Sequence, residues 1–181
     1  VDAEMRRQIK AMSYGLAYGL SSFGLSMQLS ISPPEATDLM DRYFQRFGGI
    51  RDYLKNVVEE ARKVGYTETV MGRRRYLPDL THDNRMRREI AERAALNSPI
   101  QGSAADIIKQ AMLNVERALI SENLKSRLLL QVHDELILEV IAGEEEVLTN
   151  LVRREMGSAF PLRAPLDVSV GIGKSWNEAA H

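Results

Sequence analysis

The sequence predicts an α+β fold in which a helical portion is followed by a portion with a small antiparallel sheet backed by helices. Three observations carry this. Apolar residues recur at helical spacing from Met5 to Ala61. Two apolar runs, Leu128-Leu129-Leu130 and Leu136-Ile137-Leu138, flank a short polar bend bearing His133, Asp134 and Glu135, as a tight hairpin does. From Ala104 onward the patterns run helix, strand, strand, helix, strand, which suits an antiparallel sheet covered on one face.

The first helix is expected over Arg6 to Gly19, ended by the glycine. At about 100° per residue, Met5, Ile9, Met12 and Leu16 share the side that packs. Arg6, Lys10, Tyr14 and Tyr18 drift around the opposite side. Two cations followed by two rings could meet a phosphate chain and then a sugar and base. The same row also suits a solvated basic face with half-buried rings.

A short helix from Ser22 to Leu29 follows, and Ser32-Pro33-Pro34-Glu35 supplies a capping box for the next, which runs to about Phe47. Gly48-Gly49 is expected to break it. Ile50, Tyr53, Leu54, Val57, Val58 and Ala61 then give a new amphipathic stripe up to Gly65. Tyr66 to Val70 and Tyr76-Leu77 bracket a turn expected to carry Arg73, Arg74 and Arg75. Guanidinium forks there can hold phosphates, or can simply be solvated.

Asn84 to Ser121 is helical, with an interruption expected at Asn97-Ser98-Pro99-Ile100-Gln101-Gly102, where proline forces a kink or a fresh start. Ser98 with Gln101 fits a capping box. Beyond it Ala104, Ile107, Ile108, Ala111, Val115 and Leu119 form a face that can back the hairpin. The run Leu128 to Leu130 reads as a central strand covered on both faces. A helix opened by Glu144-Glu145-Glu146 should turn Val147, Leu148, Leu151 and Val152 inward. Leu166 to Val170 alternates like a last strand, and Gly171-Ile172-Gly173 reads as a bend with Trp176 as an anchor. The carboxylates at the hairpin bend are either a solvated turn or ligands for a hard divalent cation, which takes one or two protein carboxylates plus substrate phosphates.

The 181 residues carry no cysteine, which excludes disulfides and thiolate metal sites. No apolar run is long enough to span a membrane and no signal peptide is recognisable, so no membrane partner is expected and the cytoplasm is the default. The net charge of −1 conceals a separation. Arg62 to Arg93 holds nine basic against five acidic residues, and Asp134 to Glu155 holds two against seven. An anionic partner would favour the first region and cations the second.

Taken together, these motifs resemble the C-terminal part of family A DNA polymerases, the bacterial DNA polymerase I type. The resemblance covers essentially the whole chain: Arg6…Lys10…Tyr14-Gly15…Tyr18-Gly19, Gly72-Arg73-Arg74-Arg75-Tyr76, Arg93…Asn97…Pro99…Gln101-Gly102 and Val132-His133-Asp134-Glu135, in the family's order. It implies a fingers portion over residues 1–83 and a palm portion over 84–181. Arg6 and Lys10 would bind the triphosphate of the incoming deoxynucleotide, with Lys10 also catalytic, while Tyr14 and Tyr18 would lie by its sugar, base and template. A tyrosine at position 14 would tolerate a nucleotide lacking the 3′-hydroxyl. Asp134 would bind catalytic Mg²⁺, with Glu135 a weaker partner.

By the same resemblance, His133, Arg93, Asn97, Gln101, Arg74 and Arg75 would touch the primer-template duplex. Two Mg²⁺ ions would assist attack of the primer 3′-hydroxyl on the α-phosphate. The cations of the opening helix would then have to face the acidic hairpin bend. The family also places a metal-binding aspartate upstream, in a stretch close to Asp-Tyr-Ser-Gln-Ile-Glu-Leu-Arg, which this chain lacks. The expected reading is therefore an incomplete module, inactive alone, from a monomeric enzyme of replication and repair. The alternative is a non-catalytic nucleic-acid-binding module.

Overall fold

A carboxylate starts the first helix: Asp2 Oδ1 accepts from the Met5 backbone N–H at 2.7 Å, ahead of α1 (Ala3–Ala17). The computed structural model describes residues 2–17 and 19–179. These fall into two units, Val1–Ser103 and Ala104–His181.

In the first unit, α1 packs on α2 (Ser22–Leu29) and α3 (Pro33–Arg46) through Ala11, Met12, Leu25, Leu29, Ala36 and Tyr43. The expected packing stripe of α1 is corrected. Met12 is buried, but Met5 and Ile9 are 54% and 52% exposed, and Ala11 takes their place. With eight residues, α2 is only about 12 Å long and covers one end of α1. The Leu16 side chain lies outside the described residues.

The capping box at Ser32 and Glu35 forms as expected, Ser32 N–H donating to Glu35 Oε2 at 2.8 Å. The helix stops at Phe47 rather than at the glycines. Phe47 leaves helical backbone and lays its ring 5.0 Å from Tyr43, and Gly48 already begins α4 (Gly48–Val64). Gly65 closes α4 with φ +83°, a conformation that costs glycine nothing.

The hairpin of β1 (Tyr66–Glu68) and β2 (Arg74–Tyr76) pairs Tyr66 with Tyr76, Thr67 with Arg75 and Glu68 with Arg74. Arg74 and Arg75 therefore lie in a strand, not in the turn. The turn is Val70-Met71-Gly72, because Gly72 at φ +79° supplies the left-handed residue and Thr69 N–H bonds Arg73 O across it at 3.0 Å. A 3₁₀ turn at Pro78–Thr81 leads to α5 (Arg85–Ser121).

The fresh helix start expected as one outcome near Pro99 is absent, since α5 runs as one helix of 37 residues with Pro99 inside it. An interior proline costs about 3 kcal/mol. Burial of Ala91, Ala95, Ser98 and Pro99, with Leu77 and Leu80 packed on the two alanines, holds the helix through it. Ser98 does not cap a new helix; its hydroxyl donates back to Ala94 O.

In the second unit, α5 contributes Val115, Ala118 and Leu119, which pack with Leu148, Leu151 and Val152 of α6 (Glu145–Gly157). Leu136, Leu138 and Val140 lie against this cluster, so β4 (Glu135–Glu139) is backed by helices as expected. Strand β3 (Arg127–Val132) pairs antiparallel with β4 but is not the doubly covered central strand predicted. A bulge between Leu128 and Leu130 shifts the register, so that Leu130 opposes Ile137 on the face away from the helices. Leu129 and Leu130 stand 51% and 48% exposed.

Two more expectations change. Val147 is exposed while its three partners are buried. Leu166 to Val170 keeps its alternation of half-buried and exposed residues, with Val168 and Val170 on the core, but it has no strand partner among the described residues. Glycines let the chain double back beyond Val170: a Cβ at Gly171 would stand 1.9 Å from Ala179 O, so α7 (Trp176–Ala179) folds directly onto that segment.

The loop into β3 is held by Glu144, whose carboxylate accepts from Lys125 N–H at 3.0 Å, Ser126 N–H at 2.8 Å and Ser126 Oγ at 2.6 Å. The Lys125 and Ser126 donors hold its carboxyl below the usual carboxylate range. Folding therefore draws stability from Glu144 above the unfolded value, and loses it as pH falls through the lower folded one. E144Q should lower the thermal midpoint at neutral pH, with the gap to the unaltered protein closing as pH falls through and below the usual carboxylate range. Melting curves across that range check this; a gap independent of pH would contradict it.

Candidate functional site

In the first unit, α1 presents Arg6, Lys10 and Tyr14 on one exposed side, four residues apart and thus one turn after another. Lys10 Nζ lies 5.8 Å from the centre of the Tyr14 ring. Tyr18, the fourth member of the row, lies outside the described residues. Gly19 is held against Arg93 and Leu96 of α5, where a Cβ would stand 3.2 Å from each side chain, so Arg93 borders the end of this helix.

One turn on from Arg93 along α5 stand Asn97 and then Gln101, on the same face. The β1–β2 hairpin lies beside Gln101 to form a cleft of about 190 Å³ lined by Thr67, Glu68, Thr69, Arg73, Arg74, Arg75, Ser98, Gln101 and Gly102. Arg75 Nη1 donates to Ser98 Oγ at 3.2 Å and Arg73 Nη2 to Gly102 O at 3.1 Å. Val70 N–H donates to Ser103 Oγ at 2.9 Å. Arg74 donates to Glu68 Oε1 at 2.6 Å over the Tyr66 ring, and the Glu68 contact raises its pKa. That ion pair is open to solvent and therefore weak, so a phosphate can displace it. Asn97 Oδ1 is shielded from solvent without a donor among the described residues. The cleft thus joins Arg74, Arg75 and Gln101, with Asn97 and Arg93 on the adjoining helix face.

In the second unit, the tip is tighter than the sequence implies. Val132 pairs with Glu135, so only His133 and Asp134 form the bend, and Glu135 is the first residue of β4. His133 sits at φ +54°, which costs a non-glycine residue roughly 1–2 kcal/mol. Gln131 Nε2 braces it by donating to His133 O at 2.9 Å. Asp134 is exposed and bonds to nothing among the described residues, whereas Glu135 Oε2 accepts from Trp176 Nε1 at 3.3 Å. Sequence reasoning missed the Gln131 and Trp176 contacts; an amide two residues before a tight bend and the chain's one tryptophan were the available signals.

Asp134 and Glu135 offer hard carboxylate oxygens, and this donor set fits the one or two protein ligands that Mg²⁺ takes beside waters and substrate phosphates. No group of three or more His, Cys, Asp or Glu able to hold a metal occurs among the described residues. None of the described helices is long and apolar enough to cross a membrane.

An open cation-and-ring row, an arginine-lined cleft and a two-carboxylate hairpin are tools for handling phosphates. The family profile described as DNA polymerase family A matches residues 1–178, and the chain belongs to that family. DNA polymerase I of Mycobacterium tuberculosis (strain ATCC 25618 / H37Rv) is 65% identical over 181 residues, covering 100% of this chain and 20% of that protein. DNA polymerase I of Bacillus caldotenax is 50% identical over 179 residues, 99% of this chain and 20% of that protein. A solved structure, the POL domain of Pol1 from M. smegmatis in complex with DNA primer-template and dNTP, superposes with a TM-score of 0.96 at 64% identity. It is covered to 32% of its length and covers 100% of this chain. The chain spans about a fifth of the length of the curated relatives it matches.

Gly102 explains how the cleft closes: a Cβ there would lie 2.7 Å from Thr69 Cγ2. Thr69 has no freedom to turn away, because its hydroxyl accepts from Met71 and Arg73 N–H at 3.3 and 3.1 Å. G102A should therefore cost roughly 1–3 kcal/mol through overpacking. T69A in the same chain should recover much of it. Denaturant midpoints of the single and double variants check this, and an unchanged midpoint in G102A would refute it.

Proposed function

We propose that the protein carrying this chain is a template-directed DNA polymerase that adds deoxynucleotides to a primer 3′-hydroxyl, in replication and repair. The observation that carries the reading is the open row Arg6, Lys10 and Tyr14 on α1, a surface that duplex binding alone does not require. Family membership and the relative solved with primer-template and dNTP support it.

On this reading residues 1–83 are the fingers portion and 84–181 the palm portion. Arg6 and Lys10 bind the triphosphate and offset the charge that grows on the departing pyrophosphate. Tyr14 stacks by the sugar and base, with Tyr18 beside the template position, and the tyrosine at 14 admits a nucleotide lacking its 3′-hydroxyl. Asp134, with Glu135 beside it, would hold Mg²⁺, two ions in the complete enzyme, and the bound cation would supply Lewis-acid activation of the 3′-hydroxyl and charge stabilisation at the leaving oxygen. Arg74, Arg75, Arg93, Asn97 and Gln101 contact the primer-template, and His133 lies by the primer end. The enzyme works as a monomer in the cytoplasm.

This stretch alone is expected not to extend a primer. Metal-dependent extension by the full-length protein tests the proposal; duplex binding without extension would favour a non-catalytic nucleic-acid-binding module instead. In that assay K10A should reduce nucleotide use by roughly a hundredfold or more, while primer-template affinity changes little. Equal losses in both, or template-dependent incorporation by the isolated 181 residues, would contradict these assignments.

A further inference from the structure

Glu135 is the tethered member of the carboxylate pair, and its tether comes from the far end of the chain. Trp176 Nε1 donates to Glu135 Oε2 across 41 residues of sequence. The segment bearing this indole is built to stay in place. Gly171 and Gly173 admit Ala179 and Glu178 at distances no side chain would allow, with a Cβ at 173 falling 2.6 Å from Glu178 Cβ. Glu178 Oε2 accepts from Lys174 N–H at 2.8 Å, closing the loop, and the preceding Val168 and Val170 lie on the core beneath β4. The ring itself is half exposed, so core filling does not account for it.

The chemistry of the donor matters. An indole has one N–H, no acceptor and no charge. It fixes a carboxylate and leaves the second oxygen available without cancelling the negative charge that a cation needs, as a lysine or arginine there would. Asp134, one residue earlier, has no such restraint among the described residues.

We propose that Trp176 is a positioning residue: through its N–H it holds the Glu135 carboxylate ready for a divalent cation at the hairpin tip, leaving Asp134 free to adjust to the ion. The inference rests on the polymerase reading for its setting, but its test does not depend on turnover.

The experiment uses full-length protein carrying W176F, and a second form with benzothienylalanine at 176, which keeps the ring shape and lacks the N–H. Each is also combined with E135Q. Mn²⁺ binding to the complex with a chain-terminated primer-template is read by electron paramagnetic resonance, alongside the Mg²⁺ level for half-maximal incorporation. Loss of the donor should raise the Mn²⁺ dissociation constant and the Mg²⁺ requirement roughly three- to tenfold, with the rate at saturating metal and the thermal midpoint little changed. Placed on E135Q, it should add nothing. An unchanged metal requirement in the benzothienylalanine form, or the same factor appearing again on E135Q, would overturn the proposal. Failure of the unaltered protein to extend primers would defeat the polymerase reading instead, while the Mn²⁺ comparison would still decide the role of Trp176.

Discussion

The candidate metal end of the molecule depends on which face of β4 is buried. Leu136, Leu138 and Val140 pack on Val115, Leu119, Leu148, Leu151 and Val152, and because side chains alternate along a strand this commits Glu135, Ile137 and Glu139 to the opposite face. A slip of one residue would drive Glu135 and Glu139 into an apolar layer, a cost far above what any turn could offset. Register is then carried to the tip by the pairing of Val132 with Glu135, which leaves only two residues for the bend. His133 takes the left-handed conformation and the Gln131 amide secures its carbonyl. Asp134 is thereby held on rigid β-structure with its carboxylate open to solvent.

In the first unit the corresponding constraint is a missing side chain. Gly102 lets Thr69 touch α5, and that approach brings three arginines of the hairpin against the helix that carries Asn97 and Gln101. The hairpin is also pinned by Val70 N–H on the Ser103 hydroxyl and by the Arg73 guanidinium on Gly102 O, so Arg74 and Arg75 project from a braced element rather than from a loose tip. Phosphate-binding groups held this way lose less conformational freedom on binding than the same groups on a mobile loop.

Much of this was legible in the sequence because it is local. The capping box at Ser32, the helix stop at Gly65 and the hairpin around Asp134 are written in residues a few positions apart. What misled were patterns whose outcome is decided elsewhere. Pro99 reads as a break, yet burial of its neighbours carries α5 through it. Leu128 to Leu130 reads as a doubly buried strand, yet one bulge turns two of the leucines outward. Leu166 to Val170 has strand alternation, but alternation reports a half-buried extended chain and not a hydrogen-bonding partner. The site residues on α1, α5 and the tip were named from motifs. Trp176 was expected only as an anchor; its Glu135 partner and the role of Gln131 were invisible because they are set by tertiary approach and by a turn conformation.

The central claim is that Asp134 serves the chemistry rather than the solubility of the hairpin. Glu139 is a fair comparison, an exposed carboxylate on the same hairpin already paired with Arg127 at 2.5 Å. The decisive measurement is single-turnover nucleotide incorporation by the full-length protein bearing D134N or E139Q, with primer-template affinity recorded for each. The account predicts that D134N slows incorporation by at least roughly a hundredfold with binding retained, and that E139Q changes it little. Incorporation by D134N at close to the unaltered rate would contradict it.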